Sequence, residues 1–315
     1  MRWLVAPLLA ASVGCSAAAP SVPPRAPALR LGTGAPGGSF HTMGETLVRV
    51  RRGEQAGGEI ENVETAGSVS NLEALQAGTT DCAFSYADVA YEALAGRLPD
   101  ASLTFDRLRG VAVVQLTPLY FLVAHESPIR SVSDLRGRTV ALRSRESGSL
   151  QAAMLVLGAH GLDSRSIHIR SETFLGAFAR LQDGSVDALF ILTGQPSDPI
   201  ARAVESDAKI LPIAGDAIDR LRQQYPFLQP SLIPGGVYAG HDAPIRTIGM
   251  DSLLLCRAEI EPARVYDITR TWFLAVQSST DGTMSGVVGP SRAAATPIPL
   301  HSGAARYYRE RQLQP

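Results

Sequence analysis

LQAGTTDCAF, residues 75–84, returns as LQDGSVDALF at residues 181–190. Both carry the pattern L-Q-x-G-x-x-D-x-x-F, and each part of it has a physical reading. The Leu packs the last turn of a helix. The Gly takes the left-handed position that ends it. The Asp stands at the turn before an apolar strand that contains the Phe. A second matched pair, Gly37-Gly38-Ser39 and Ser147-Gly148-Ser149, precedes the first in the same order. One such match arises by chance; two in the same order imply one architecture used twice.

The segments around these motifs agree. ALRLGTG reads as a strand running into glycines, and FHTMGETLVRV as a helix with Met43, Leu47 and Val50 on one side. EIENVET is a second strand. Ser70-x-x-Glu73 is a capping box that opens a helix stopped by Gly78. DCAFSY is a third strand, and ADVAYEALAG a helix ending at Gly96. The order then repeats through RTVALRS, ESGSLQAAMLVLGAHG, IHIRSE, FLGAFARLQDG, VDALFIL and TGQPSDPIARAV. Alternating strands and helices predict an α/β chain with parallel sheets.

Each matched loop follows a strand and opens a helix, whose first N–H groups are unpaired and carry partial positive charge. Small residues let a ligand approach that backbone, so each loop is a candidate anion cradle. Gly32, Gly34 and Gly37 also fit G-x-G-x-x-G, with Glu59, Glu61 and Glu64 as candidate acidic partners of a dinucleotide. Pro36 inside the turn and an export signal argue against that cofactor; no cofactor is expected.

The export signal is Arg2 followed by LVAPLLAASV, too short to span a bilayer as a helix. It ends at Cys15, whose preceding residues resemble a lipoprotein cleavage box with Ser12 in place of the usual Leu. Residues 1–15 are therefore expected to be a signal with lipidation at Cys15, and 16–28 a Pro/Ala-rich tether. The whole chain has 315 residues, 45% hydrophobic and 19% charged, with a formal net charge of −1, which gives no sign of a nucleic-acid partner. Cys82 and Cys256 lie in apolar strand-like runs. An exported pair can form a disulfide, but nothing in the sequence places them together, and the expectation is buried free thiols.

The motifs LGTGAPGGSFHTMGETL, ETAGSVSNLEALQAGTTDCAFSYADVAYEAL, DLRGRTVALRSRESGSLQAAMLVL, FARLQDGSVDALFILTGQPSDPI, TIGMDSLLLCRAEIEPARVYDIT and LHSGAARYYRE run in order through nearly all of the chain beyond the tether. Together they resemble the TAXI-type solute-binding receptors of TRAP transporters. The resemblance implies a type II periplasmic-binding-protein fold: two α/β lobes, each with a mixed, mainly parallel sheet, and a ligand cleft between them. Lobe one is expected over 29–116 plus 246–315 and lobe two over 117–245, with hinge crossings near 113–123 and 236–249.

Carried over by position, Gly34, Gly38, Ser39 and Phe40 form one cradle and Ser147, Gly148 and Ser149 the other. Tyr86 and Asp88 line the cleft, Thr193, Gly194 and Pro196 lie at the matching strand end, and Tyr238 sits at the second crossing. Two departures bear on the ligand. Tyr86-Ala87-Asp88 stands where relatives often have Gln before Ser-Asp. Arg143-Ser144-Arg145-Glu146 replaces a small neutral loop, and Arg145 or Arg143 is placed to make a bidentate carboxylate contact. Asp88 has a second reading as a helix cap.

The implied function is that of an exported, lipid-anchored, monomeric receptor. It binds a small anionic organic solute, a carboxylate or amino acid, and delivers it to a TRAP-type permease. The alternatives are a sensory protein that docks a receptor kinase and, last, an enzyme acting on a small carboxylate. His41, His125, His160, His168, His241 and His301 show no metal spacing, and Ser206-x-x-Lys209 has no partner motif for a nucleophile.

Overall fold

The computed structural model describes residues 27–54, 58–98, 103–225, 227–278 and 286–313. Cys15, the signal and most of the tether lie outside them. The first half of the chain builds β1 (Leu29–Gly32), α1 (Ser39–Gly53), β2 (Ile60–Val63), α2 (Ser68–Ala77), β3 (Cys82–Tyr86) and α3 (Ala87–Leu94). A long strand, β4 (Leu108–Ala124), follows. Then come β5 (Thr139–Leu142), α4 (Gly148–Ala159), β6 (His168–Ser171), α5 (Phe174–Gln182), β7 (Ala188–Leu192), α6 (Asp198–Glu205), β8 (Ala208–Leu211) and α7 (Asp216–Gln224). The chain closes with β9 (Leu228–Ile233), a second long strand β10 (Ile245–Arg257), α8 (Pro262–Ser278), α9 (Pro290–Ala293) and α10 (Ser302–Glu310).

The repeat read from the sequence is a repeat in space. The strands follow the order β2-β1-β3-β10-β4-β7-β5-β6. β1 lies parallel between β2 and β3, and β5 lies parallel between β6 and β7. In each trio the chain reverses direction across the sheet at the central strand. A crevice opens beyond the carboxyl ends at such a switch point.

The two copies of L-Q-x-G-x-x-D-x-x-F also match atom for atom. Gly78 and Gly184 both take left-handed backbone, at φ 77° and 73°. The Asp81 carboxylate accepts the N–H of Arg30 at 2.9 Å while its own N–H donates to the Arg30 carbonyl at 2.9 Å. Asp187 does the same with Thr139, at 2.8 Å each way. The Asp therefore ties the start of the third strand of each trio to the start of the first. Phe84 and Phe190 are buried behind it.

Between the trios run the two long strands. β4 pairs antiparallel with β10 from Leu108 to Pro118, then with β7 from Leu119 to Val123 and with β8 from Phe121 to Ala124. β10 pairs with β9 at its start and with β3 at its end. At that end Cys82 stands opposite Cys256, and the two form a disulfide. This corrects the expectation of free thiols: both strand assignments hold, but the register between them is set by tertiary pairing that one-dimensional patterning does not carry. The capping box at Ser70 is also corrected. α2 opens two residues earlier, at Ser68 after Gly67, so Ser70 lies inside the helix.

Asp81 carries more than its turn. Its Oδ1 accepts from Arg30 Nη2 at 3.0 Å and from Arg257 Nη2 at 2.8 Å, so it joins β1, β3 and β10. Burial alone pushes its carboxyl up; the hydrogen bonds from Arg30 and Arg257 outweigh it and bring the pKa down to about 2. A carboxyl depressed from its unfolded value of 3.8 contributes stability that is complete above that value and is lost as pH falls through 2. Asp81→Asn is expected to lower unfolding free energy by about 2 kcal/mol at neutral pH. Denaturant titrations at pH 7 and pH 2.5 check this: the difference between variant and native protein narrows at the lower pH.

Candidate functional site

A cavity of about 50 Å³ lies where the two trios face each other. Much of its wall is made of helix beginnings. Gly38, Ser39 and Phe40 come from the head of α1, and Gly67 and Ser68 from the head of α2. Tyr86 is the residue before α3, and Ser147, Gly148 and Ser149 open α4. The first N–H groups of a helix have no partner within it. Three such ends, of α1, α2 and α4, around one small space create a region of positive potential that suits an anion. Gly34, Ala35, Ala66, Arg143 and Leu192 complete the lining.

The sequence motifs explain why these turns are possible. Gly37 is left-handed at φ 85°, which turns the chain from β1 into α1. Gly32 serves packing instead: a Cβ there would lie 2.6 Å from Asn71 Oδ1 and 3.0 Å from Ala83 Cβ. The two cradles differ by one residue from the sequence match. Gly38 caps α1 without a side chain, whereas Ser147 caps α4 and its Oγ accepts from Ser149 N–H at 3.4 Å. Ser39 thus corresponds in position to Gly148 rather than to Ser149.

The walls meet across the cavity. Val69 N–H donates to Glu146 carbonyl at 3.0 Å, which joins α2 to the α4 loop. Gly148 packs on Tyr86 so closely that a Cβ would stand 2.5 Å from Tyr86 Cδ2. The Tyr86 ring is buried, tilted against Phe40 with centroids 4.8 Å apart, and hydrogen-bonded through its hydroxyl to Ser39. Burial pushes its phenol well up. Arg143 is half-buried, and burial lowers its guanidinium pKa against the smaller pull of Tyr86. An anion beside it would offset that cost.

The family model matches residues 31–311. The chain belongs to the NMT1-like family. Among solved structures it is similar to the periplasmic aliphatic sulphonate binding protein SsuA of Escherichia coli, at 23% identity and TM-score 0.53 over 90% of this chain and 83% of that one. It is also similar to the alkanesulfonate-binding SsuA of Xanthomonas axonopodis pv. citri bound to MOPS, at 21% identity and TM-score 0.52 over 92% and 85%. A protein of Bordetella bronchiseptica RB50 matches with TM-score 0.57 at 14% identity over 90% and 98%. The expected fold, that of periplasmic binding proteins, is the observed one.

Within the NMT1-like chain the expected site residues divide. Gly34, Gly38, Ser39, Phe40, Tyr86, Ser147, Gly148 and Ser149 share the small cavity. Thr193, Gly194 and Pro196 line a neighbouring cavity of about 380 Å³, open beside α6, which meets the first at Ser39. Arg145 is exposed and lines neither, whereas Arg143, one residue past β5 on the cavity side of the turn, lines the first. Tyr238 is a correction too. Its hydroxyl pairs with Tyr120 at 2.9 Å and accepts Ser197 N–H at 3.0 Å, so it supports the turn before α6 from behind. Asp88 points away from both: it borders a separate cavity with Gln151, Tyr225 and Phe227. Gly67 and Ser68 were missed, although Ala-Gly-Ser between a strand and a helix is the same signal that identified the other two loops.

Two variants test this arrangement. Gly148→Ala inserts a methyl where the Tyr86 ring already stands, so the two trios are expected to stand further apart. Small-angle X-ray scattering should then give a larger radius of gyration than the native protein; an unchanged value refutes the dependence on Gly148. Asp88 is raised to about 7, first by burial and less by Glu92, against the backbone N–H groups at the head of α3. An acid raised above its unfolded value costs stability as pH climbs from about 4 to 7, and the cost then levels off. Asp88→Asn is expected to raise the melting temperature at pH 8 and to leave it near the native value at pH 4, as measured by differential scanning calorimetry.

Proposed function

We propose that this protein is an extracytoplasmic solute receptor of the TAXI type that closes on a small organic anion and delivers it to a TRAP-type permease. The observation that carries the reading is the convergence of three helix beginnings and Arg143 on one small cavity between the two halves. Hydrogen bonds to a charged group contribute about 1.5–3 kcal/mol each. Four or five of them, less the cost of ordering, reach the roughly 8 kcal/mol of a micromolar site.

Lobe one comprises 29–116 and 246–315 and lobe two 117–245. β4 and β10 are the segments shared between them, and closure hinges where β4 exchanges β10 for β7 near Pro118. Binding that favours the closed arrangement makes occupancy visible to a partner on the outside. Cys15 carries the lipid that keeps the receptor at the membrane, and a single acyl chain holds only marginally, so further acylation is expected there. The sulphonate ligands named for two structural relatives share the requirement that the cavity sets, a monovalent oxyanion.

Thermal shift of the purified protein tests the reading. A panel of carboxylates, sulfonates, amino acids and neutral or cationic analogues is screened, with mass spectrometry on whatever co-purifies. A ligand at a hundredfold its dissociation constant adds about 2.7 kcal/mol of apparent stability. Acids are expected to stabilise and their amides are not; stabilisation by neutral or cationic compounds alone overturns the anion site.

A further inference from the structure

Tyr86 lines the small cavity, which shares Ser39 with the larger one. Its ring is held by Phe40 on one side and Gly148 on another. Its hydroxyl bonds to Ser39, the residue that lines both spaces, and lies 3.5 Å from the carbonyl of Leu192. Leu192 lines the small cavity, and its neighbour Thr193 lines the large one. The phenol thus stands on the side of the small space, about 50 Å³, where Leu192 leads to Thr193 and the larger space of about 380 Å³. It is 5% exposed and hemmed in on three sides, so it has no room to swing aside while the trios are in contact.

We infer that Tyr86 is the size filter of the receptor and that its solute is a short monoanion. The inference rests on the anion-receptor reading. Room for a water takes about 10–15 Å³, so the small cavity admits a ligand of roughly three to five heavy atoms, the size of acetate or propionate. Arg143 is the charged side chain in that wall, which matches one negative charge rather than two. The helix heads grip the oxyanion, and the phenol stops the carbon chain from extending. Removal of the phenol joins the two spaces and gives a longer tail somewhere to lie, against Gln115, Thr193 and Gly194.

The experiment is isothermal titration calorimetry of the native protein, Tyr86→Phe and Tyr86→Ala with formate, acetate, propionate, butyrate and hexanoate, and in a parallel arm methanesulfonate and butanesulfonate. Native protein is expected to bind acetate or propionate best and to lose about tenfold or more per methylene beyond that, the cost of overfilling a small pocket. Tyr86→Phe keeps the ring and is expected to keep the cutoff. Tyr86→Ala is expected to bind butyrate and hexanoate at least as well as acetate. The sulfonate arm decides which oxyanion the helix heads prefer, and the same cutoff is expected in either arm.

Native protein that binds hexanoate as tightly as acetate overturns the filter, whatever the variants do. Tyr86→Ala that binds with the native cutoff overturns it as well, while leaving the anion site intact. No binding of any of these anions to any of the three proteins overturns the filter and the anion-receptor reading together.

Discussion

Two parallel strand trios cannot present their carboxyl ends to one another unless something fixes them face to face, and the antiparallel pairing of β4 with β10 does this. From Leu108 to Pro118 the two strands share a ladder, and beyond it β4 carries on alone into the second trio while β10 begins beside β9. A parallel strand needs a crossover helix, and every such helix begins at the carboxyl end of the strand before it. The direction of each strand thus dictates where each helix dipole points. With the trios fixed face to face, the positive ends gather on a common space without any residue being selected for charge.

That arrangement creates an electrostatic problem as well as an opportunity. Like partial charges brought together repel, and the half-buried guanidinium of Arg143 adds a full one. The contacts that hold the walls together are short-range: a backbone hydrogen bond from Val69 to Glu146 and the packing of Gly148 on Tyr86. An anion in the space relieves that repulsion. Asp88 sits on the far side of Tyr86, too buried to be ionised cheaply and facing away from the space that the helix heads share.

The repeat carried most of the fold in one dimension. Leu75 and Leu181, Gly78 and Gly184, and Asp81 and Asp187 do the same work because the local chemistry of a helix stop and a strand start recurs with them. The Gly and Ser of the two cradles were legible for the same reason. What stayed hidden depended on direction across a turn or on pairing across the sheet. Arg143 and Arg145 are two residues apart on one loop, and only the path of the chain after β5 decides which enters the cavity. Tyr238 lies where the sequence puts it but faces Tyr120, a partner 118 residues away. Cys82 and Cys256 are 174 residues apart, and their meeting is a matter of register.

That sulfur bridge has a topological consequence. It closes the peptide between its two ends into a ring, and the ring holds β4 to β9 with all of α3 to α7. The second trio is therefore inside a covalent loop whose neck is stitched through the first trio. A protease that severs an outer turn anywhere along the loop leaves a single molecule, still joined at the neck. With the neck intact, even a nicked second half cannot part company with the first.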